Sequence, residues 1–268
     1  MHVSALKLSH FRNFEQAEFA FDEDKTVILA DNARGKSNLL EALYFLALGK
    51  SGRGAKDRDV LRWGAEFFSI EAKIDREDNT FPIRIAYDPR LGKKQASLDK
   101  VPLPRLSDLI GAFNAVLFSP EDVDLVLREP SQRRRILDIL VSQSNASYLS
   151  DLEVYQRVLS QRNRLLKDRG HNLLSDPAQM VPWNLQLAEL GSRIIRCRLD
   201  ALDAMQPHLA DYYQGIAPTE EQLEAIYRSP VSGDMRDQGQ DILTEALSER
   251  LAQEIELKYT LTGPHRDN

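Results

Sequence analysis

One short segment near the N-terminus constrains the fold of this chain more than any other. Residues 30–37 read ADNARGKS, with the apolar run TVIL before them and the helix-favouring run NLLEAL after them. Strand, Gly-Lys-Ser loop and helix in this order are typical of the phosphate-binding loop of P-loop NTPases. The backbone N–H groups of such a loop point at phosphate oxygens, and the start of the helix adds a favourable dipole. The sequence therefore predicts an α/β fold that binds a nucleotide.

Individual residues of the loop have distinct expected roles. Lys36 is expected to reach the β- and γ-phosphates, and the Ser37 hydroxyl is expected to bind Mg²⁺. Ala30 stands where the G-x-x-x-x-G-K-[ST] pattern has its first glycine. A Cβ there would cost about 1–3 kcal/mol if the backbone needed a positive φ. A chance Gly-Lys-Ser at an ordinary helix start is the alternative reading of this segment.

Composition bounds the class of protein. The chain has 268 residues, of which 42% are hydrophobic and 28% charged, enough for a core and room for two domains. No apolar run approaches the roughly 20 residues of a membrane-spanning helix, and the N-terminus lacks a signal-peptide pattern. The single cysteine, Cys197, excludes an intramolecular disulfide and favours the reducing cytoplasm. The five histidines lack metal-ligand spacing, and no residue is predicted to be catalytic.

The pattern of apolar residues divides the chain. Residues 1–125 are rich in expected strands, and residues 126–254 are helical in pattern. Residues 255–268 are expected to return to the first part, with 255–262 alternating like a strand. The expected strands are 3–8, 16–21, 26–30, 67–74, 80–87, 95–98 and 114–118, with a hairpin connection at 88–94. Ser119 is expected to cap a helix that begins at Pro120.

The segment LKLSHFRNF at 6–14, together with the loop, resembles the start of an SMC-type ATPase head. Four later segments are KDRDVLRWG at 56–64, LFSPED at 117–122, QRRRILD at 132–138 and LTGPHRD at 261–267. They resemble the RecF family, which has a head of this type. They occur in the family's order and span nearly the whole chain. Each alone would be weak, and the combination is specific.

The resemblance implies a fold and a set of ligands. The fold is an α/β P-loop NTPase head of the ABC/SMC type with a mixed β-sheet, plus an inserted, mainly helical arm domain. The cofactors are ATP and Mg²⁺, with Ser37 as the metal ligand. The nucleotide-binding residues are Ala30, Asp31, Asn32, Ala33, Arg34, Gly35, Lys36, Ser37, Asn38, Arg12 and Asn13. Glu121 and Asp122 are second-rank candidates for sensing the Mg-nucleotide, although acids at a helix start explain them as well. Residues 263–266, GPHR, match the family without an assignable role.

The resemblance also implies a function. Such a protein is a cytoplasmic, nucleoid-associated, ATP-dependent DNA-binding protein of DNA replication, recombinational repair and the SOS response. It binds single-stranded, gapped or junction DNA, forms an ATP-dependent homodimer and has no membrane partner. With the RecR and RecO mediators it assists the loading of RecA. The alternatives are an SMC-type ATPase with a nuclease module and a non-enzymatic interaction module with a decayed phosphate loop.

The C-terminal half of the family's head has no counterpart in the sequence. Neither the signature motif nor an apolar run ending in paired acids (Walker B) follows the helical region. The chain is therefore expected to be an N-terminal fragment that binds ATP with little or no hydrolysis on its own.

Charge gives a more local prediction. The net charge of −6 argues against a protein coated in positive charge. Basic clusters occur at 50–62, 90–94, 133–135 and 162–169. The first is loop-like and is the best candidate for DNA contact. Aromatic residues are not interleaved with the clusters, so contact with the phosphate backbone is expected instead of base stacking.

Overall fold

The chain forms two compact units. The structure, a computed structural model, describes residues 1–77, 79–120, 122, 129–217 and 221–268. The first unit comprises Met1–Asp122 and the second Val123–Asn268. The phosphate loop and the first basic cluster both lie in the first unit.

The first unit is built on an antiparallel sheet. Its strands are β1 (His2–Phe11), β2 (Phe14–Ala20), β3 (Phe68–Arg76), β4 (Asn79–Asp88), β5 (Lys93–Leu98) and β6 (Val101–Pro102). They lie in the order β2-β1-β3-β4-β5-β6, and every pairing in this described sheet is antiparallel. Helices α1 (Lys36–Leu48) and α2 (Asp57–Val60) and a short 3₁₀ helix (Leu106–Leu109) complete the unit.

Aromatic packing fixes α1 against the sheet. Phe11 of β1, Phe45 of α1 and Phe68 of β3 make mutual edge-to-face contacts with ring centroids 5.7–6.1 Å apart. All three side chains are fully buried. Each such aromatic pair stabilises the fold by about 0.5–1.5 kcal/mol in addition to the gain from burying its apolar area. This cluster holds the helix whose first residues belong to the phosphate loop.

The predicted strands at 26–30 and 114–118 are not formed. Both segments run without a strand assignment, and their apolar side chains are exposed: Val27 72%, Leu29 88%, Val116 88% and Phe118 76%. A short apolar run predicts an extended, buried backbone, but a strand also needs a neighbour for its N–H and C=O groups. No described strand pairs with either segment. The other expected strands and the connection at 88–94 are confirmed.

The second unit is helical. Its helices are α3 (Pro130–Ser144), α4 (Ala146–Ser175), α5 (Val181–Ile216), α6 (Gly239–Glu249) and α7 (Leu251–Leu257), with a 3₁₀ helix at Pro177–Met180. Tyr148 and Tyr155 of α4 pack with Leu187 and Ile194 of α5 and Leu243 of α6 in one buried cluster.

The strand predicted over 255–262 is wrong. The chain is helical through Leu257, no strand follows, and the terminal segment belongs to the second unit and not to the first. The residues alternate in sequence, but Leu251 and Ile255 also lie four apart and are both buried on one face of α7. The Glu254 carboxylate then accepts the N–H of Leu261 at 2.7 Å, which turns the chain after the helix.

Candidate nucleotide-binding site

The phosphate loop turns at two residues with positive φ. These are Ala33, at 63°, and Gly35, at 103°. A Cβ on Gly35 would lie 2.7 Å from Nδ2 of Asn13 and 2.8 Å from Cζ of Phe14, so only glycine fits there. Ala30 is not among the residues with positive φ. The strain considered for an alanine at position 30 therefore does not arise.

Lys36 lies across the loop. Its Nζ donates to the carbonyl of Ala30 at 2.6 Å and to that of Asp31 at 2.9 Å. Residues 31–34 form an exposed turn, which a bond from the Arg34 N–H to the Asp31 carbonyl closes at 3.4 Å. An ammonium has three N–H donors, and phosphate oxygens can replace carbonyls as their acceptors. The lysine is thus beside the segment that would wrap a phosphate.

The start of α1 supplies further donors. The Leu39 N–H bonds the Gly35 carbonyl at 2.9 Å as the first bond of the helix. The N–H groups of residues 36–38 precede it and point out of the helix end. Ser37 is exposed on this first turn, with a hydroxyl oxygen of the kind that Mg²⁺ accepts as a ligand. The residues present therefore fit a Mg-nucleotide, with amide and ammonium donors for the phosphates and a hydroxyl for the metal.

Asn13 holds the loop from the β1–β2 turn. Its Nδ2 donates to the Arg34 carbonyl at 3.2 Å, and its Oδ1 accepts from Nδ2 of Asn38 at 2.8 Å. The structure thus brings Asn13 and Asn38 to the loop. Their roles as nucleotide ligands stay predictions.

Arg12 is used differently. Its Nε and Nη2 donate to the two carboxylate oxygens of Glu41 at 2.9 and 2.7 Å, and its Nη1 donates to the carbonyl of Asp59 at 2.9 Å. Glu41 is 1% exposed and also accepts the Ser51 hydroxyl at 2.5 Å. Removing one partner of such a buried pair costs about 3–5 kcal/mol because the other charge is left uncompensated. Arg12 therefore fixes α1 one turn beyond the loop.

Glu41 was not singled out in the sequence. It stands in the apolar run of α1 and is buried on the same side as Ala42 and Phe45. A charged residue on the buried face of a short amphipathic helix is the signal that could have identified it, because a buried carboxylate needs a cationic partner.

Of the two second-rank acids, only Asp122 is described. Its carboxylate accepts the N–H of Ser119 at 2.8 Å and the Ser119 hydroxyl at 2.7 Å. The Asp122 side chain therefore caps the Ser119 N–H, and the Ser119 hydroxyl donates to it instead of capping a backbone N–H. Residues 121 and 123–128 of the helix expected to begin at Pro120 lie outside the described residues. Glu121 lies outside the described residues.

The first basic cluster contains both engaged and solvated cations. Arg62 donates to the Asn13 carbonyl at 2.7 Å and to Glu15 at 3.3 Å, so it belongs to the scaffold of the loop. Lys56 and Arg58 are exposed, and neither has an ion-pair partner among the described residues. These two side chains can meet an anionic partner, whereas the exposed Arg53 already lies 3.8 Å from the Glu41 carboxylate.

In the other three clusters, at least one cation each has a protein partner. The pairings are Arg90 with Asp88 and Glu66, Arg134 with the carbonyl of Asp267, and Arg162 with Glu254. The last pair is completely buried. A guanidinium that is buried with its carboxylate cannot leave for a phosphate without a large desolvation penalty.

The segment at 263–266 has an architectural role in the second unit. Nδ1 of His265 lies 2.7 Å from the Tyr155 hydroxyl, and Nε2 lies 3.2 Å from the Thr260 carbonyl. The carbonyl can only accept, so Nε2 carries the proton and Nδ1 accepts from the tyrosine. Burial lowers the pKa of His265 to about 4. The ring is therefore neutral and joins the C-terminal segment to α4.

Two other classes of site are not found in the described part of the chain. Among the described residues, no three or more His, Cys, Asp or Glu side chains lie together in a way that could hold a metal ion. No helix there combines the length and apolar character that crossing a membrane requires.

Comparison with known proteins shows that the chain is similar to DNA replication and repair proteins. An AAA domain family matches residues 5–180. The DNA replication and repair protein RecF of Bacillus cereus (strain AH820) is 36% identical over 271 residues, which cover 100% of this chain and 72% of the relative. RecF of Bacillus thuringiensis (strain Al Hakam) matches with the same identity and coverage.

Solved structures agree with these relatives. The recombination mediator protein RecF-ATP in the RecFOR pathway superposes with a TM-score of 0.90 at 29% identity, over 99% of this chain and 71% of the other. RecF-ATPrS in the same pathway gives a TM-score of 0.89 at 29% identity, over 100% and 72%. These matches confirm the P-loop ATPase fold predicted from the sequence, with its sheet and helices. The helical arm as an inserted domain stays a prediction.

Proposed function

The chain belongs to the RecF family of DNA replication and repair proteins, and on that premise we propose that it binds ATP with Mg²⁺ through residues 30–38. The carrying observation is the position of Lys36, whose ammonium lies across the loop on the carbonyls of Ala30 and Asp31. The solved relatives RecF-ATP and RecF-ATPrS support the choice of nucleotide. In this proposal Lys36 binds the β- and γ-phosphates, Ser37 binds Mg²⁺, and Asn13 and Asn38 hold the loop.

ATP acts in this proposal as a switch and not as fuel for this chain alone. Mg²⁺ neutralises phosphate charge and polarises the terminal phosphate when bound. Lys36 and the N–H groups at the start of α1 orient the phosphates. Turnover also needs a group that positions water, and the sequence contains no acidic strand of the Walker B kind. We therefore propose binding with little or no hydrolysis.

The finer assignment concerns DNA and protein partners. We propose that the protein is cytoplasmic and nucleoid-associated, binds single-stranded or gapped DNA, pairs two heads around ATP and assists RecA loading with RecO and RecR. The RecFOR pathway named for the solved relatives supports this assignment. So do the solvated cations Lys56 and Arg58 beside the loop scaffold. In the proposed organisation, residues 1–125 are the ATPase head and residues 126–254 the arm.

Thermal unfolding with and without Mg-ATP tests the nucleotide site. A ligand at about 100 times its Kd stabilises the folded state by about 2.7 kcal/mol. We expect that gain for the natural chain and for Lys25→Ala, which removes an exposed lysine outside the loop. Lys36→Ala should abolish it.

Two results would contradict the proposal. Identical unfolding curves with and without Mg-ATP would favour an interaction module with a decayed loop. Phosphate release that Lys36→Ala abolishes would show that the chain hydrolyses ATP without further parts.

A further inference from the structure

Trp63 is the most exposed large apolar side chain of the described residues. It is 98% exposed, whereas tryptophan is usually mostly buried. A flat aromatic ring that stays in water is often part of a surface for a partner. Trp63 directly follows Arg62, the last cation of the basic cluster at 50–62.

The turn that carries Trp63 is fixed at both sides. The Arg62 N–H donates to the His10 carbonyl at 2.8 Å, and its guanidinium donates to the Asn13 carbonyl at 2.7 Å. The Ala65 N–H closes the turn on the Arg62 carbonyl at 3.0 Å. The indole ring therefore projects from a turn whose backbone is fixed by hydrogen bonds.

The surroundings of this turn are aromatic and basic. The rings of His10 and Phe67 meet edge to face with centroids 5.4 Å apart, and Phe67 is 41% exposed. Lys56 and Arg58 precede the turn and are solvated.

The acids near the turn already have partners. Their pairings are Glu15 with Arg62, Glu66 with Arg90, and Asp57 with Lys94. The Asp59 carboxylate accepts the N–H of Lys56 at 3.2 Å. The negative charge that would repel a phosphate is thus partly compensated, while two cations stay open.

We propose that Trp63 stacks on an unpaired base of single-stranded DNA while Lys56 and Arg58 contact the flanking phosphates. Proteins that bind single strands without sequence preference combine aromatic stacking with a positive surface in this way. A base inside a duplex has no free face, so the site selects single-stranded segments, gaps or frayed ends. The inference rests on DNA binding in the proposed function and names the residues that contact the base and backbone.

The same turn is joined to the phosphate loop. Asn13 accepts from Arg62 through its carbonyl and donates to the Arg34 carbonyl through its side chain. One residue thus links the nucleotide loop to the turn of Trp63. A change at the loop has a short route to the stacking residue.

Intrinsic fluorescence gives a direct test, because the chain has two tryptophans. Trp183→Phe leaves Trp63 as the only one and changes a residue of the second unit. Titration of this variant with a short oligo(dT) should quench its emission. Stacking is worth about 1–3 kcal/mol per base, so Trp63→Ala should weaken oligo(dT) binding about 5- to 150-fold.

Control variants separate stacking from other effects. Trp63→Phe keeps a ring and should recover most of the affinity. Tyr212→Ala removes another exposed aromatic, in the second unit, and should leave it unchanged. The Trp63→Ala variant and the natural chain should bind blunt duplex DNA with the same affinity. Arg58→Gln should lower the salt dependence of single-strand binding by about 0.7 in log–log slope.

The outcomes separate this inference from the proposed function. Oligo(dT) affinity that Trp63→Ala leaves unchanged would overturn the stacking role alone. Failure of the natural chain to bind any DNA, with Mg-ATP binding intact, would overturn DNA binding and the inference with it. Emission that responds to protein dilution but not to oligo(dT) would assign the ring to a second copy of the chain and would also overturn it.

Discussion

Ala33 is the residue of the phosphate loop whose replacement tests the backbone geometry most directly. Its φ of 63° lies in the left-handed region, and its side chain is exposed. An L-residue pays about 1–2 kcal/mol for this conformation, which glycine adopts freely. Glycine in turn loses about 0.4–1 kcal/mol through the larger entropy of its unfolded state. Ala33→Gly should therefore stabilise the first unit by about 1 kcal/mol, because no packed methyl is lost.

Ala30→Gly is the matched control with the opposite expectation. Ala30 is not in the left-handed region, so glycine relieves nothing and costs about 0.4–1 kcal/mol. Although this change restores the glycine of the motif, we expect the affinity for Mg-ATP to stay unchanged.

Hydrogen exchange read by mass spectrometry is the suitable assay. A chain of two units need not unfold in one step, so a single denaturation curve would mix them. Amides of β1 and β3 exchange through opening of the first unit and report its free energy separately. If Ala33→Gly and Ala30→Gly destabilised these amides equally, the argument from positive φ would be refuted.

Three further changes test other parts of the structure. Gly35→Ala should abolish stabilisation by Mg-ATP in thermal unfolding, because the new Cβ would lie 2.7 Å from Nδ2 of Asn13. Glu41→Gln should destabilise the first unit by about 1.5–3 kcal/mol in hydrogen exchange, because it removes the charge of the carboxylate that accepts from Arg12. Glu18→Gln, in an exposed pair with Lys7, should change little. The pKa of His265 is lowered to about 4 in the folded chain, so the neutral ring contributes stability above the usual value near 6.5 that is lost as the pH falls toward 4. The unfolding free energy of the second unit, read from hydrogen exchange of α4 and α5 amides between pH 7 and pH 4, should decline less steeply in His265→Gln. Equal slopes would contradict this linkage.

The features that the sequence predicted correctly are those that local chemistry determines. Gly35 and Lys36 specify a turn and a helix start through residues adjacent in the chain. In β3, alternation places Phe68, Ile70 and Ile74 on one buried face, and that pattern is readable without knowing the neighbouring strands. Each conclusion needs only the period of the backbone and the residue types within one element.

The failures share a non-local cause. Residues 26–30 and 114–118 are short apolar runs of the kind that predicts a buried strand. A strand forms only where another strand accepts its hydrogen bonds, and the sequence pattern contains no information about that partner. Residues 255–257 fit both periods, because Leu251 and Ile255 are also neighbours on a helix. There the packing of α7 against α4 decides, and it involves residues almost a hundred positions away.

The partners and the burial of individual side chains could not be predicted from the sequence either. Arg12 and Arg62 are charged residues beside a predicted anion site, which favours a ligand role, but their donors are used by Glu41, Asp59, Asn13 and Glu15. Trp63 is the opposite case: a single tryptophan in a sequence usually packs in a core, yet this one is exposed. The exposure of Trp63 depends on how its turn is held, and the turn is held by hydrogen bonds from Arg62 to His10 and Asn13, which are distant in the sequence.

Burial, more than position in the sequence, separates the residues that can exchange partners from those that cannot. The Arg12–Glu41 pair is desolvated on the carboxylate side, so a phosphate that drew Arg12 away would leave the buried carboxylate with Arg53, at 3.8 Å, as its remaining cationic partner. Lys36 donates to two exposed backbone carbonyls, which water can solvate when the lysine moves to a phosphate. The nucleotide should therefore bind at the solvated rim formed by Lys36, Ser37 and the N-terminal N–H groups of α1. The buried pair keeps the helix in place while the rim changes its partners.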